Sequence, residues 1–279
     1  MSEKSNIQWT DATWNPVVGC SKMSAGCDNC YAEKMAHRLA CNSATQATYS
    51  FVSSFGKWNG LCILDEKALQ KPLSWKKPRR VFVNSMGDLF HNGVPYGWVE
   101  QVMAVMALCP QHTFMVLTKR PERMQEYFKS ARGVGYKPLS NLWLGVSVED
   151  QESAHDRIPA LVLTPAVKRF ISIEPLLAPV SLRWIGGDFL RDPVTGKSTE
   201  YDALKKIDWV IVGGENGAGA RDIFPAWVRS IRDQAEANNI PFFFKGWGKS
   251  PRFTVKDNVS GCRRFTNILD GKQYESFPN

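Results

Sequence analysis

Three cysteines near the start of the chain have the spacing of a metal-binding loop. They occur in the segment Gly19-Cys20-Ser-Lys-Met-Ser-Ala-Gly26-Cys27-Asp-Asn-Cys30. Two thiols at C-x-x-C spacing bind one metal centre, and a third can return to that centre through a loop. Gly19 and Gly26 allow the backbone to bend tightly around such a centre. The segment therefore predicts that Cys20, Cys27 and Cys30 are ligands of a single metal site.

These three cysteines have no fourth ligand nearby in the sequence. The residues after Cys30 are typical of a helix, on which His37 would lie about 10 Å and Cys41 about 16 Å farther along the axis. Neither side chain reaches a metal that Cys30 holds at roughly 2.3 Å. Three more distant cysteines could reach the metal site only through the tertiary fold: Cys62, Cys109 and Cys262. The pattern favours a [4Fe–4S] cluster with one open iron, with a zinc site completed from afar and ordinary reduced thiols as alternatives.

The composition is that of a globular protein with a mildly basic charge. The 279 residues are 43% hydrophobic and 22% charged, and the net charge is +8. No apolar run approaches the roughly 20 residues that span a bilayer, and the start lacks a signal-peptide pattern. We therefore expect a cytoplasmic protein with no membrane association, in which the seven cysteines stay reduced. The basic charge is compatible with a nucleic-acid or phosphate-bearing partner.

Short apolar runs alternate with helical segments along most of the chain. The predicted strands are Val81–Met86, Thr113–Thr118, Leu142–Val148, Lys168–Ile173, Asp208–Gly213 and Pro241–Lys245. The predicted helices are Tyr96–Leu108, Pro121–Ser130, Gln151–Leu163 and Pro225–Asn238. Repeated β–α units predict an α/β domain with a parallel sheet or barrel. Residues 185–207 are expected to form an inserted loop. One domain should cover residues 1–248, and residues 249–279 should form an extension packed on it.

Polar residues follow each predicted strand. They are Asn84, Ser85, Asp88, Lys119, Arg120, Ser147, Glu149, Glu174, Glu215, Asn216, Lys245 and Trp247. Ligands of α/β folds collect at the carboxyl ends of parallel strands, so these residues are candidates for a site. Glu174 is notable because its carboxylate lies among apolar residues in Ile-Ser-Ile-Glu-Pro-Leu-Leu.

The cysteine loop followed by β–α units resembles the radical S-adenosylmethionine (SAM) superfamily. More closely, the chain resembles a phage- and prophage-borne family of radical-SAM-like proteins, most of which have no assigned reaction. The resemblance extends through most of the chain, over the stretches Trp9–Pro16, Gly26–Ala32, Phe82–Phe90, Leu117–Pro121, Leu144–Glu149, Ser172–Leu177, Trp209–Glu215 and Phe243–Gly248. It implies a partial (β/α)6-type parallel barrel that binds one [4Fe–4S] cluster and SAM.

The resemblance also implies roles for the candidate residues. SAM would chelate the unique iron, and its one-electron cleavage would give a 5′-deoxyadenosyl radical that abstracts hydrogen from a substrate. By strand order, Asn84, Ser85 and Asp88 would bind the methionyl group, and Ser147 and Glu149 the ribose. Tyr31 or a tryptophan would replace the aromatic residue that usually lies against adenine, since Asn29 occupies that position. The residues expected to face the substrate are Glu174, Glu215, Arg221 and Lys245.

The expected function is a radical SAM enzyme acting on a modified nucleobase or nucleotide in phage DNA metabolism, with isomerase or lyase chemistry favoured. A peptide or amino-acid substrate is the alternative within this class. The alternative outside it is a non-catalytic nucleic-acid-binding protein braced by zinc or a cluster. The enzyme would be a monomer that receives electrons from a flavodoxin or ferredoxin, in the host cytoplasm if a phage encodes it.

Overall fold

The computed structural model describes residues 5, 7–130, 137–183, 185, 202–249, 254–256 and 263–278. Seven strands form the main sheet: β1 (Ala12–Trp14), β2 (Arg80–Val83), β3 (Thr113–Thr118), β4 (Leu142–Val148), β5 (Lys168–Ile173), β6 (Trp209–Gly213) and β7 (Phe242–Gly246). They are hydrogen-bonded in chain order. The pairs β1–β2, β2–β3, β5–β6 and β6–β7 are parallel. The fold is therefore mixed α/β with a parallel sheet, and the predicted α/β class is confirmed.

Helices connect most of these strands. They are α1 (Tyr31–Ala40), α2 (Gln46–Val52), α3 (Glu66–Leu69), α4 (Tyr96–Leu108), α5 (Pro121–Ser130), α6 (Gln151–Leu163) and α7 (Pro225–Glu236). Pro121 and Pro225 each occupy a first helical turn, where the missing N–H group costs no hydrogen bond. Helix α7 buries Val228, Ile231 and Ala235, a spacing that gives one apolar face. No helix in the described ranges is long and apolar enough to cross a membrane.

The chain divides into two compact units. The N-terminal unit contains residues 1–145 and 164–168, and the C-terminal unit contains residues 146–163 and 169–279. The predicted boundary between a domain and an extension at residue 248 stays a prediction. In the N-terminal unit, Trp14 of β1 packs on Phe114 of β3 with 5.5 Å between ring centroids. Trp14 also donates from Nε1 to the carbonyl oxygen of Ala68 at 2.7 Å, which fixes β1 to α3.

The described end of the chain packs on β6 and β7 of the C-terminal unit. Phe244 N donates to Tyr274 O at 2.8 Å. Trp209 Nε1 donates to Ser276 O at 2.8 Å. Four short strands precede or flank these contacts: Thr254–Lys256, Arg263–Phe265, Ile268–Leu269 and Lys272–Gln273. Most of the predicted inserted loop, residues 186–201, lies outside the described residues, and Ala203–Lys206 forms a 3-10 helix.

One predicted strand was too long. The run from Val81 was expected to continue to Met86, but β2 ends at Val83. Asn84 has a φ angle of 61°, in the left-handed region where asparagine is among the better tolerated residues. Gly87 N donates to Asn84 O at 3.3 Å and closes a turn there. The chain therefore turns away from the sheet directly after β2, and this turn contacts the cysteine loop.

Candidate functional site

The segment from Gly19 to Cys30, here called the cysteine arm, begins at a tightly packed glycine. Gly19 has a φ angle of 114°, and a Cβ atom there would lie 2.1 Å from Leu61 O and 2.9 Å from Cys62 Cα. Gly19 N also donates to Met86 O at 3.1 Å. Because a side chain would collide with backbone on one side, only glycine fits this position. Cys20 is thus anchored between residues 61–62 and the turn after β2.

Cys27 and Cys30 lie at the other end of the cysteine arm. Cys27 ends the 3-10 helix Ala25–Cys27, and Cys30 is the N-cap residue of α1. Cys30 N donates to Cys27 O at 3.4 Å. Helix α1 packs its buried Ala32 and Ala36 against α2, and Cys30 contacts the same hydrophobic cluster. The thiols of Cys20, Cys27 and Cys30 are all free and partly buried.

The surroundings of Cys20 and Cys27 shift their pKa values in opposite directions. Burial raises the pKa of the Cys20 thiol to about 12; charge on Asp88, Cys27 and Cys30 raises it too, while Arg120 lowers it. Burial alone would raise the pKa of the Cys27 thiol. The charge of Lys119 and hydrogen bonds with Ser24 and Met23 lower this pKa by more, so that it lies below its usual value. Cations therefore act on two of the three thiols, Arg120 on Cys20 and Lys119 on Cys27.

Arg120 joins the cysteine arm to the sheet. Its NH1 atom lies 3.0 Å from Asp88 Oδ2 and 3.9 Å from Cys20 Sγ. Its NH2 atom donates to the carbonyl and hydroxyl oxygens of Ser21, both at 3.1 Å. Asp88 also accepts hydrogen bonds from Thr118 Oγ1 at 2.8 Å and from Phe90 N at 2.9 Å. The buried Asp88 carboxylate thus positions the Arg120 guanidinium group, and this group in turn contacts Cys20 and Ser21 of the arm.

A thiol and an imidazole continue this network beyond Ser21. Ser21 Oγ lies 2.8 Å from His91 Nε2, and Cys62 Sγ lies 3.2 Å from His91 Nδ1. Gly93 N donates to His91 Nδ1 at 3.0 Å, so the neutral ring carries its proton on Nε2. Burial lowers the pKa of His91 and raises the pKa of Cys62 to about 11. Both groups are therefore neutral near pH 7.

Three of the predicted SAM contacts lie beside this arm. Tyr31 OH donates to Ser85 O at 2.9 Å. Ser85 Oγ and Met86 N both donate to Asn15 Oδ1, at 3.1 and 2.8 Å. Asn84 begins the same turn and is buried. The structure therefore brings Tyr31, Ser85 and Asn84 together around the turn after β2, and their role in binding SAM stays a prediction.

Apart from Asp88, the other predicted SAM and substrate contacts belong to the C-terminal unit. Glu149 is buried and forms an ion pair with Arg157 at 3.1 Å. Arg157 NH1 also donates to Ser147 O at 2.7 Å, so one guanidinium group joins both predicted ribose contacts. Ser147 Oγ donates to Glu174 O at 3.3 Å. The structure therefore links Ser147 with Glu149 and with Glu174 inside this unit.

Two acid–base pairs stand at the ends of β5, β6 and β7. Glu174 Oε1 lies 3.1 Å from Lys245 Nζ, and Glu174 Oε2 accepts from Ser172 Oγ at 3.2 Å. A Cβ atom on Gly213 would lie 2.3 Å from Glu174 Oε1, so the glycine makes room for this carboxylate. Glu215 accepts from Arg221 Nε at 3.0 Å. All the predicted substrate groups are thus held in ion pairs.

Residues 4–278 match the model of a family described as "Protein of unknown function (DUF5131)". The chain belongs to this family. No curated protein and no solved structure matches it. The family description names no reaction, ligand or host, so the predicted radical SAM activity and phage origin of this DUF5131 member stay predictions.

The donor atoms of the cysteine arm fit a metal centre. Thiolates are the usual ligands of zinc and of iron–sulfur clusters, and Lys119 and Arg120 would offset their negative charge. Within the described ranges, no three His, Cys, Asp or Glu side chains stand close enough to hold a metal ion. The thiols would therefore have to converge on binding. Residues 20–24 form neither helix nor strand that would oppose this.

Sequence reasoning did not assign several residues of this DUF5131 member to the site. The sequence indicates Arg120 only as a polar residue at a strand end and Cys62 only as a distant cysteine that could complete a zinc site, and it indicates no role for Asn15, Ser21 and His91. The sequence does indicate Arg120, since this residue lies two positions after β3 and directly before α5. Cys62 and His91 are distant from the arm in sequence, and only tertiary packing brings them to Ser21.

Proposed function

We propose that the protein is a radical SAM enzyme whose [4Fe–4S] cluster is held by Cys20, Cys27 and Cys30. The observation that carries this proposal is the cysteine arm itself. It holds three free thiols of spacing C-x6-C-x2-C, and Arg120 NH1 lies 3.9 Å from the sulfur of Cys20. The seven-stranded parallel sheet supports the finer proposal of a partial (β/α)6-type barrel. When bound, the cluster and SAM would supply the radical that removes a hydrogen atom from the substrate.

The chain's own residues would bind and orient these groups. Arg120 and Lys119 would offset charge at the cysteines, and Tyr31 would offer a partly exposed ring to an adenine. We propose the turn after β2, with Asn84, Ser85 and Asp88, for the methionyl group of SAM. The proposed ribose contacts are Ser147 and Glu149, and the proposed substrate groups are Glu174, Glu215 and Lys245.

We further propose a nucleobase or nucleotide substrate in phage DNA metabolism, with isomerase or lyase chemistry. The net charge of +8 supports a phosphate-bearing partner. The ion pair of Glu174 with Lys245 supports a polar substrate, because it presents a donor and an acceptor 3.1 Å apart. The proposal includes a monomeric cytoplasmic enzyme that is reduced by a flavodoxin or ferredoxin.

A second candidate function follows from Cys62. Its backbone packs on Gly19, and its thiol contacts the network that ends at Cys20. A fourth thiol near the arm favours a closed four-cysteine zinc site, which would brace the fold of a nucleic-acid-binding protein. This candidate differs from the first in one respect that can be measured, namely whether Cys62 is a ligand.

The test is metal analysis of the reconstituted protein and of Cys62→Ser. The first proposal expects anaerobically reconstituted protein to be brown, with visible absorbance that fades on reduction. It also expects 5′-deoxyadenosine from SAM and dithionite, and unchanged iron in Cys62→Ser. A colourless protein that holds one zinc ion and loses it in Cys62→Ser would refute the radical proposal and support the zinc site.

A further inference from the structure

Arg120 is the buried cation that contacts the sulfur of a predicted cluster ligand. It is 7% exposed, and its guanidinium group contacts three residues, Asp88, Cys20 and Ser21. NH1 bridges Asp88 Oδ2 and Cys20 Sγ, and NH2 donates twice to Ser21. The contacts with Cys20 and Ser21 link the region after β3 to the first two residues that follow Gly19, and the contact with Asp88 links it to the segment after β2.

Protein partners set the position of this guanidinium group. Burial of a charged group is costly unless a partner compensates it, and Asp88 supplies that compensation. Asp88 is itself fixed by Thr118 Oγ1, Phe90 N and Lys119 N, at 2.8, 2.9 and 3.2 Å. Arg120 therefore presents its N–H groups to Cys20 and Ser21 from a position that protein partners hold.

A fixed N–H donor and a positive charge beside a ligating sulfur have a defined effect on a cluster. Reduction adds negative charge to the cluster and its sulfur atoms, and hydrogen bonds to sulfur are among the determinants of the reduction potential. Groups that orient a metal ligand also affect the affinity for the metal. Both effects act through Cys20, because it is the arm cysteine that Arg120 contacts at 3.9 Å.

We propose that Arg120 is a positioning residue that fixes the Cys20 end of the arm and makes a bound cluster easier to reduce. This inference rests on the proposed function, since it assumes a cluster at Cys20. It means that Arg120 affects the reduction potential of the cluster in addition to forming an ion pair with Asp88. A purely structural ion pair would affect stability and leave the cluster potential unchanged.

Arg123 provides a matched control. It lies one turn further along α5 and carries the same charge. It donates to the carbonyl oxygens of His91 and Val94, and its guanidinium group lies 4.8 Å from the Tyr96 ring centroid. The comparison of Arg120→Gln with Arg123→Gln therefore separates the contact with the arm from the loss of one positive charge in this region.

The experiment has one measurement without a cluster and one with it. In the apoprotein, hydrogen exchange followed by mass spectrometry should show about tenfold faster exchange at residues 19–24 in Arg120→Gln, from the loss of charge-assisted hydrogen bonds. In the reconstituted protein, a potentiometric titration followed by electron paramagnetic resonance should give a more negative midpoint potential for Arg120→Gln. Arg123→Gln should match the wild type in both.

The outcomes separate this inference from the proposed function. A wild-type protein that assembles no cluster would overturn both. A cluster in the wild type with the same midpoint potential in Arg120→Gln would overturn only the role of Arg120. If Arg120→Gln does not fold, Arg120→Lys replaces it, because one ammonium group cannot reproduce both the NH1 and the NH2 contacts. A wild-type exchange rate and potential in Arg120→Lys would equally contradict the inference.

Discussion

The two units of the molecule use charged pairs in different ways. In the N-terminal unit, the side chains of Arg120 and Asp88 are only 9% and 8% exposed. In the C-terminal unit, those of Lys245 and Glu174 are 29% and 16% exposed. Asp88 is fully engaged by protein donors, whereas the Glu174 pair is accessible to solvent. The first pair therefore suits the holding of a cofactor ligand, and the second suits an exchange of partners with a polar substrate.

This difference follows from the local backbone. Asp88 lies in the turn that β2 enters at Asn84, where neighbouring N–H groups point at its carboxylate. Glu174 directly follows β5, and its carboxylate occupies space left by Gly213 at the end of β6. Since an exposed ion pair contributes little to stability, Glu174 and Lys245 are not explained by stability alone. Three mutational comparisons test this contrast.

The largest effect is expected from the cysteine arm itself. Cys27→Ala should abolish iron binding, because two thiols do not hold a [4Fe–4S] cluster that needs three protein ligands. The measurement is iron and sulfide content after anaerobic reconstitution. Cys41→Ala is the matched control, since Cys41 is an exposed free thiol at the end of α1. Full iron content in Cys27→Ala would show that the cysteine arm is not the metal site. The N-terminal unit would then have no cofactor role to contrast with the C-terminal unit.

The second largest effect is expected on the free energy of unfolding, when each of the two charged pairs is broken. Asp88→Asn leaves a buried guanidinium group without its counter-ion and should lower the free energy of unfolding by about 3 kcal/mol. Glu174→Gln breaks a partly exposed pair and should lower it by less than about 1 kcal/mol. Urea denaturation followed by tryptophan fluorescence measures both. An equal loss of unfolding free energy in the two variants would mean that the two ion pairs have the same structural role. That result would contradict the contrast between the two units.

The sequence predicted the repeated elements better than the site. Long apolar strands and Pro-initiated helices carry strong local signals, and β3, β4, β5 and α4 have the predicted bounds. Strand β1 has three residues, which is too short for a periodic pattern, and tertiary contacts hold it: it pairs with β2, and Trp14 packs on Phe114. The cysteines were visible because their spacing is local. The contacts of Arg120 with Cys20 and of Cys62 with His91 join residues far apart in sequence, so no local pattern predicts them.

The smallest effect tests the space around Glu174. In Gly213→Ala, the new methyl group would lie 2.3 Å from Glu174 Oε1, so the carboxylate must move away from Lys245. Because the end of a side chain can move, the stability cost should stay below about 1 kcal/mol. If the pair meets the substrate, this variant should keep its cluster and lose turnover of that substrate, while SAM cleavage persists. Iron content and 5′-deoxyadenosine formation are measured together. Simultaneous loss of the cluster and of SAM cleavage would contradict the assignment of Glu174 and Lys245 to the substrate.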